Sequence, residues 1–309
     1  MAASNSFIID IEFIEEVSSN LEIPILDICL TKFELQNFSS SETTDDSSLS
    51  FLTHRHSNPR IIKQLRGLVL VDPMTLDENR MHFTNLKYVC VGNPKYLFAH
   101  IYKTLAKAEN PFELKNYSVS EHKFVDKTAQ IAETARVHPD AVIGKNSVIS
   151  DGVIIHAKTT IGNNVIIKEN SVIGGKGFGY AIRQGFPPIE MPHLGGVKIE
   201  ENVHIGSCTT IDKGSFGNTL IQKNSKIDNG VHIAHNVTIG QNVIITAHAE
   251  ISGSVIVGEN SWIGPNVSIR EKLKIGRDSL VGIGSVVVKN IDNNVVAAGV
   301  PARQIRKNI

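Results

Sequence analysis

From Val125 onward the hydrophobic residues beat in sixes rather than in the 3.6 of a helix or the 2 of a simple strand. Val125, Ile131, Val137, Ile143, Ile149, Ile155, Ile161, Ile167 and Ile173 open the series, and Ile199, Ile205 and Ile211 resume it. From Ile221 it runs unbroken through Ile227, Ile233, Ile239, Ile245, Ile251, Val257, Ile263, Ile269, Ile275, Val281 and Val287. All 24 positions are Ile or Val, and four residues after each the side chain is mostly Ala, Ser, Thr or Val. Such a period suits short strands joined by tight corners, three to a coil. β-Branched side chains stiffen the strand and fill the interior, while Gly, Asn and small residues relieve the corners. The predicted fold is mainly β: a parallel β-helix of about eight coils over residues 121–291.

Two breaks interrupt the beat. Between Ile173 and Ile199 the spacing is 26, and the Gly- and Pro-rich stretch 174–198 must leave the coil as a loop. Between Ile211 and Ile221 the spacing is 10, so four residues bulge out. Loops on a rigid scaffold are where binding usually lives. Residues 1–120 lack the beat and read as a small α/β domain. Strands are expected in "LEIPILDICL", "RGLVLVDP" and "LKYVCVG". A helix is expected from "NPKYLFAHIYKTLAKAE", capped by Asn93 with Pro94 at its first position. The polar stretch 39–50 reads as a mobile loop, and residues 292–309 as a short tail that leaves the solenoid.

The chemistry gathers around "DNGVHIAHNVTIGQN" (228–242). His235 is third in its hexad and should point outward near a corner. One coil later, 18 residues on, the same place is Gly253. In-register stacking sets the two backbones about 4.8 Å apart. An imidazole can take a proton near neutral pH, and a bare backbone N–H can hold an oxyanion. The pair suits acyl transfer to an amine or hydroxyl. Asp228, Asn229, Asn236 and Glu250 are the groups available to orient the ring or bind an acceptor, and spacing does not choose among them. Loop residues Gly177, Phe178, Gly179 and Tyr180 are expected to wall the site. His232 and His248 occupy different places in their hexads from His235, which argues against a metal site. Cys208 is expected to be a buried structural residue.

Composition narrows the class. The 309 residues carry 31 basic and 31 acidic side chains, so bulk charge does not point to nucleic acid or an acidic membrane. Three scattered cysteines fit a reducing compartment, and neither a signal peptide nor a membrane span is evident, so the expectation is cytoplasmic. Arg303, Arg306 and Lys307 make the tail basic.

"VIGGKGFGY" (172–180), "IGSCTTIDKG" (205–214), "IDNGVHIAHNVTIGQN" (227–242) and "VGNPKYLFAHI" (91–101) resemble the N-acyltransferases of lipid A synthesis. That family moves a 3-hydroxyacyl chain onto the 2-amine of a UDP-glucosamine derivative. The resemblance implies a left-handed hexapeptide β-helix behind an α/β nucleotide-recognition domain, and a homotrimer with sites between prisms. It also implies His235 as general base, Gly253 as oxyanion donor, and an aromatic of the first domain on the nucleotide base. Tyr88, Tyr96 and Phe98, with Asn93, are the candidates there. The family's second histidine, in a Gly-His pair, has no counterpart, its place falling near Lys272, and its C-terminal helical extension is not seen. The ending "VVAAGVPARQI" instead looks like acyl-CoA-dependent enzymes acting on nucleotide-linked amino sugars. The expectation is therefore an N-acyltransferase that moves an acetyl or short hydroxyacyl group from acyl-CoA to a nucleotide-linked amino-deoxysugar for surface polysaccharide. Lys272 and Arg303 would contact CoA, with no metal required. The alternatives are the lipid A enzyme itself, fed by acyl carrier protein, and a non-catalytic binding solenoid.

Overall fold

The structure is a computed structural model and describes residues 7–30, 32–54, 57–105 and 124–308. The chain forms two compact units: the N-terminal elements together with Gly179–Pro192, and the solenoid up to Phe178 and again from His193. Among the described residues no helix is long and apolar enough to cross a membrane.

The N-terminal unit begins with β1 (Phe7–Asp10), α1 (Ile11–Asn20), β2 (Ile25–Cys29), β3 (Lys32–Leu35) and β4 (Asn37–Phe38). It continues with β5 (Ser48–Leu52), α2 (Pro59–Gln64), β6 (Leu68–Val71), α3 (Pro73–Phe83), β7 (Lys87–Val91) and α4 (Pro94–Leu105). One sheet runs β2-β7-β6-β5-β4, parallel except for β2 at its edge. β6, reading LVLV, is buried throughout, as a central parallel strand requires. Each of the three expected strand segments holds a strand. The expected helix is α4, and the rest of that stretch lies outside the described residues.

The stretch 39–50 differs from expectation. The Asp45 carboxylate accepts the Ser47 N–H at 2.9 Å, and the backbone turns into β5, where Ser48 and Ser50 are fully buried. Polar composition reads as a loop, but small hydroxyls fit a buried strand.

The second unit is a left-handed parallel β-helix of three sheets, with seven, ten and eight strands. In register, Ile233 faces Ile251, and Ile251 faces Ile269, 18 residues apart. The stacked Ile and Val side chains form one continuous buried core. Each contributes roughly 1.5–3 kcal/mol on burial, which is what selects the register. Buried serines at the corners bind the main chain: Ser147, Ser171 and Ser225 Oγ donate to the carbonyls of Gly162, Gly206 and Gly240 at 2.7–2.9 Å.

Asparagines mark one corner. Asn146, Asn164, Asn202, Asn224, Asn242 and Asn260 all have left-handed backbones, with φ between 55° and 64°. Asn tolerates that region better than other side-chain-bearing residues. Each side-chain amide donates to the oxygen of the next at 2.9–3.3 Å, and the ladder ends on the Asp278 carboxylate.

Two expectations are corrected here. Cys208 is exposed at a left-handed corner (φ 56°) rather than buried. The C-terminal segment does not leave the solenoid. Val295–Gly299 pairs in parallel with Leu280–Val281, and Ala302–Lys307 folds back antiparallel on it, covering the sheet edge.

Candidate active site

Ile173 pairs with Ile211 and Ile199 with Ile221, so the stack closes over both breaks in the beat. The first insertion leaves after Val172–Gly175 and the second after Thr210–Asp212, neighbours in the eight-stranded sheet. His232–Ile233 and Glu250–Ile251 are the next two strands of that sheet. Both insertions, His235 and Gly253 therefore share one corner on consecutive coils. The corner is tied along the stack: the Ser254 N–H donates to the His235 carbonyl at 2.9 Å, and the Lys272 N–H to the Gly253 carbonyl at 3.0 Å.

The half-buried His235 ring lies between two glycines. A Cβ on Gly253 would stand 2.8 Å from its Cε1 and 2.9 Å from its Nε2. A Cβ on Gly177 would stand 2.9 Å from its Cβ and Cδ2, and 2.7 Å from Nε2 of His193. The buried His193 ring sits 5.1 Å from that of His235, nearly edge-on. His193 carries no six-residue signal, because the contact arises where the first insertion re-enters the coil.

On the other side, the Asn236 amide nitrogen is 2.9 Å from Nδ1 of His235. Asn236 is itself held in a left-handed corner (φ 61°). Its Oδ1 accepts the Ser215 N–H at 2.7 Å, and its own N–H donates to Thr219 Oγ1 at 3.0 Å. At other coils the N–H third in the hexad is capped by an asparagine from the next coil: Lys145 by Asn163, Ser207 by Asn229, Arg277 by Asn293. Above Gly253 that place is taken by the exposed Glu271, and among the described residues the Gly253 N–H donates to no protein acceptor.

The other orienting candidates are engaged elsewhere. Asp228 accepts the Asn229 N–H at 2.8 Å, and Glu250 accepts the Ser252 hydroxyl at 2.9 Å. Glu250 faces His232 across the ladder. His232 places Nδ1 2.7 Å from Thr210 Oγ1 and Nε2 3.8 Å from Asp212. Burial pushes the Asp212 carboxyl up to about 6, outweighing the opposite pull of His232. Burial, with Lys213 and His138 beyond it, lowers the His156 imidazole.

The loop residues part company. Gly177 packs on His235, and Phe178 is 87% exposed. Gly179 and Tyr180 lead into a hairpin, Tyr180–Arg183 with Phe186–Glu190, that belongs to the N-terminal unit. Within that unit Asn93 Nδ2 donates to the Ile182 carbonyl and Lys95 Nζ to that of Tyr180, while Tyr96 hydroxyl donates to Pro187. The Arg183 guanidinium donates to the carbonyls of Leu21 and Glu22 and lies 3.9 Å over the Phe186 ring.

The nucleotide-stacking candidates are corrected. Tyr96 and Phe98 are both buried, two residues apart and so on different sides of α4: the Tyr96 ring lies 6.3 Å from that of Phe186 in the hairpin and the Phe98 ring 5.0 Å from that of Phe51 in the sheet, so neither offers a free face. Tyr88 is buried against Phe83, with its hydroxyl 3.1 Å from Asp27. Asn93 caps α4, accepting the Tyr96 N–H at 3.1 Å. Lys272 is exposed one coil beyond Gly253, whereas Arg303 is exposed on the final strand, in a groove with Lys289 and Asp292. The structure does not bring these two cations together. Among the described residues no three His, Cys, Asp or Glu side chains converge as a metal set.

Residues 140–175 and 218–253 match the bacterial transferase hexapeptide (six repeats) family, and residues 236–271 match the hexapeptide repeat of succinyl-transferase. A UDP-3-O-acylglucosamine N-acyltransferase of Desulfotalea psychrophila is 49% identical over 136 residues, 44% of this chain and 39% of that protein. One from Caulobacter vibrioides is 47% identical over 77 residues, 25% of this chain and 22% of that protein. The UDP-N-acetylglucosamine acyltransferase of Campylobacter jejuni superposes with a TM-score of 0.51 at 26% identity, covering 60% of this chain and 73% of that one. The chain thus matches between about a fifth and two fifths of the length of these curated relatives. The six-residue beat and the coil register agree with these matches, which show hexapeptide repeats of the bacterial transferase kind over those segments of the chain.

Proposed function

We propose that this protein is an N-acyltransferase that moves an acyl group from a carrier-protein thioester to the amine of a UDP-3-O-acylglucosamine. The carrying observation is the His235 ring held against Gly253, whose N–H is uncapped among the described residues, at the corner from which both insertions emerge. The names of the relatives favour the glucosamine acceptor over the amino-deoxysugar expected from the sequence.

In this reading the amine nitrogen attacks the thioester carbonyl, forming the C–N bond and pushing the C=O electrons onto oxygen. The Gly253 N–H holds that oxyanion. His235 removes the proton from the nitrogen. As the oxyanion collapses the C–S bond breaks, and the thiolate takes that proton from the imidazolium. No covalent enzyme intermediate is needed.

A second reading keeps acyl-CoA and a nucleotide-linked amino-deoxysugar. It is supported by the ending "VVAAGVPARQI" and by the Lys272 cation one coil beyond Gly253. The test is turnover followed by mass spectrometry, crossing acyl carrier protein and acyl-CoA thioesters with UDP-3-O-acylglucosamine and with other nucleotide-linked amino sugars. The first reading expects one acyl added to UDP-3-O-acylglucosamine from the carrier protein, with a rate that falls about 10²–10⁴-fold in His235→Ala. Turnover only with acyl-CoA and an amino-deoxysugar establishes the second. A rate unaffected by His235→Ala sinks both.

A further inference from the structure

We infer that Asn236 is the positioning residue of His235 and that, clamped by Ser215, it holds the resting imidazole with Nδ1 bare and its proton on Nε2. An amide oxygen only accepts hydrogen bonds and an amide NH2 only donates. The Ser215 N–H can only donate, and it stands 2.7 Å from one end of the Asn236 amide, which identifies that end as Oδ1. The other end, Nδ2, then faces His235 Nδ1 at 2.9 Å and Ser215 Oγ at 3.2 Å. A nitrogen approached by an N–H donor must offer a lone pair. The single N–H of the neutral ring is therefore on Nε2, the atom beside Gly253.

The amide is not free to turn. Its backbone is fixed in the left-handed corner and bonded to Thr219. Oδ1 also sits tightly under Gly214, where an added Cβ would lie 3.0 Å away. Gly214 and Ser215 belong to the second insertion, so that bulge sets the state of the imidazole one coil away.

What this means for catalysis rests on the acyl-transfer reading. Accepting a proton from an amine at Nε2 requires a lone pair there. The resting arrangement withholds it. It becomes available when the Ser215 N–H lets go and the Asn236 amide rotates by half a turn. Nε2 then gives its proton to solvent while Nδ1 takes one up from solvent and keeps it, its new N–H hydrogen-bonding to Oδ1, with no change in net charge. The 213–218 segment is thus a latch on the base.

The test uses the full chain labelled with ¹⁵N-histidine. Long-range ¹H–¹⁵N correlation at pH 8 without substrate reports which ring nitrogen is protonated, and His235→Gln identifies the signals. The expected result is a bare Nδ1 and a protonated Nε2. In Asn236→Asp a carboxylate accepts from Ser215 and from the ring together, so the tautomer should switch to Nδ1–H. Asn236→Gly, which keeps the left-handed backbone, should mix the tautomers and turn over about tenfold or more slowly than Asn236→Asp. A wild-type spectrum showing Nδ1–H, or no switch in Asn236→Asp, overturns the inference. Because the spectra need no substrate, absent turnover in the wild type would count against the acyl-transfer reading alone.

Discussion

A methyl group at Gly253 is the sharpest probe of the corner. Built on the existing backbone, the alanine Cβ falls 2.8 Å from His235 Cε1, 2.9 Å from Nε2 and 3.3 Å from Nδ1. Carbon contacts are comfortable at about 3.5–4.0 Å, so the ring must retreat by roughly 0.7–1.2 Å. The Gly253 backbone is not in the left-handed region, so alanine adds no main-chain strain. Entropy of the unfolded chain then favours the variant by about 0.4–1 kcal/mol. Loss of the Asn236 bond to the ring, at about 1 kcal/mol, offsets this. Stability should barely move. The reaction should suffer, because a misplacement of about 1 Å costs about 10²-fold in rate. The assay is kcat in the mass-resolved transfer reaction, with thermal unfolding on the same samples. A Gly253→Ala enzyme within threefold of wild type would show that the ring is not held against this corner during turnover.

Other consequences are open to the same kind of check. Asp212 has its folded pKa raised to about 6 from an ordinary value of 3.8, so the folded state binds the extra proton and stability should fall as pH rises from about 4 to 6.5. Asp212→Asn should melt above wild type at pH 7.5, with the difference gone by pH 4; equal melting at both pH values would contradict it. Asn224 bonds to both ladder neighbours at φ 64°. Asn224→Ala should lose about 2 kcal/mol from two exposed hydrogen bonds and left-handed strain, and Asn224→Gly clearly less, in denaturant melts. The homotrimer implied by the resemblance expects sedimentation at about three times 33.8 kDa, and a monomer at assay concentration would count against it.

The solenoid was readable because its period is enforced by the core. Each Ile or Val must return to the interior, so the spacing that fills the core also stacks His235 under Gly253. What had no period was harder to read. His193 meets His235 only through closure of the first insertion. Tyr96 and Phe98 are candidate binding aromatics by type, but α4 is covered on both sides, Phe98 by the sheet and Tyr96 by the 180–190 hairpin, whose path the sequence pattern does not describe. The C-terminal strand pair reads as a tail because an antiparallel return leaves no six-residue beat. Asn236 could not be told from Asp228, Asn229 and Glu250 by spacing, since its clamp depends on Ser215 in an insertion whose path the beat does not describe.

The closing of the stack over both insertions has a consequence for how such a site changes over time. The separation of His235 from Gly253 is the rise of one coil, set by the ladder of His232 with Glu250 and Ile233 with Ile251 and by the core beneath. Loop length does not enter it. The first insertion can be lengthened or replaced through most of its span without altering the spacing of these two groups. The second is less free, because Gly214 and Ser215 touch the residue that aims the ring. The middle of the first insertion, between Gly177 and His193 at the ring, is thereby separate from the segment that holds Asn236, and natural variation can alter one while leaving the other intact.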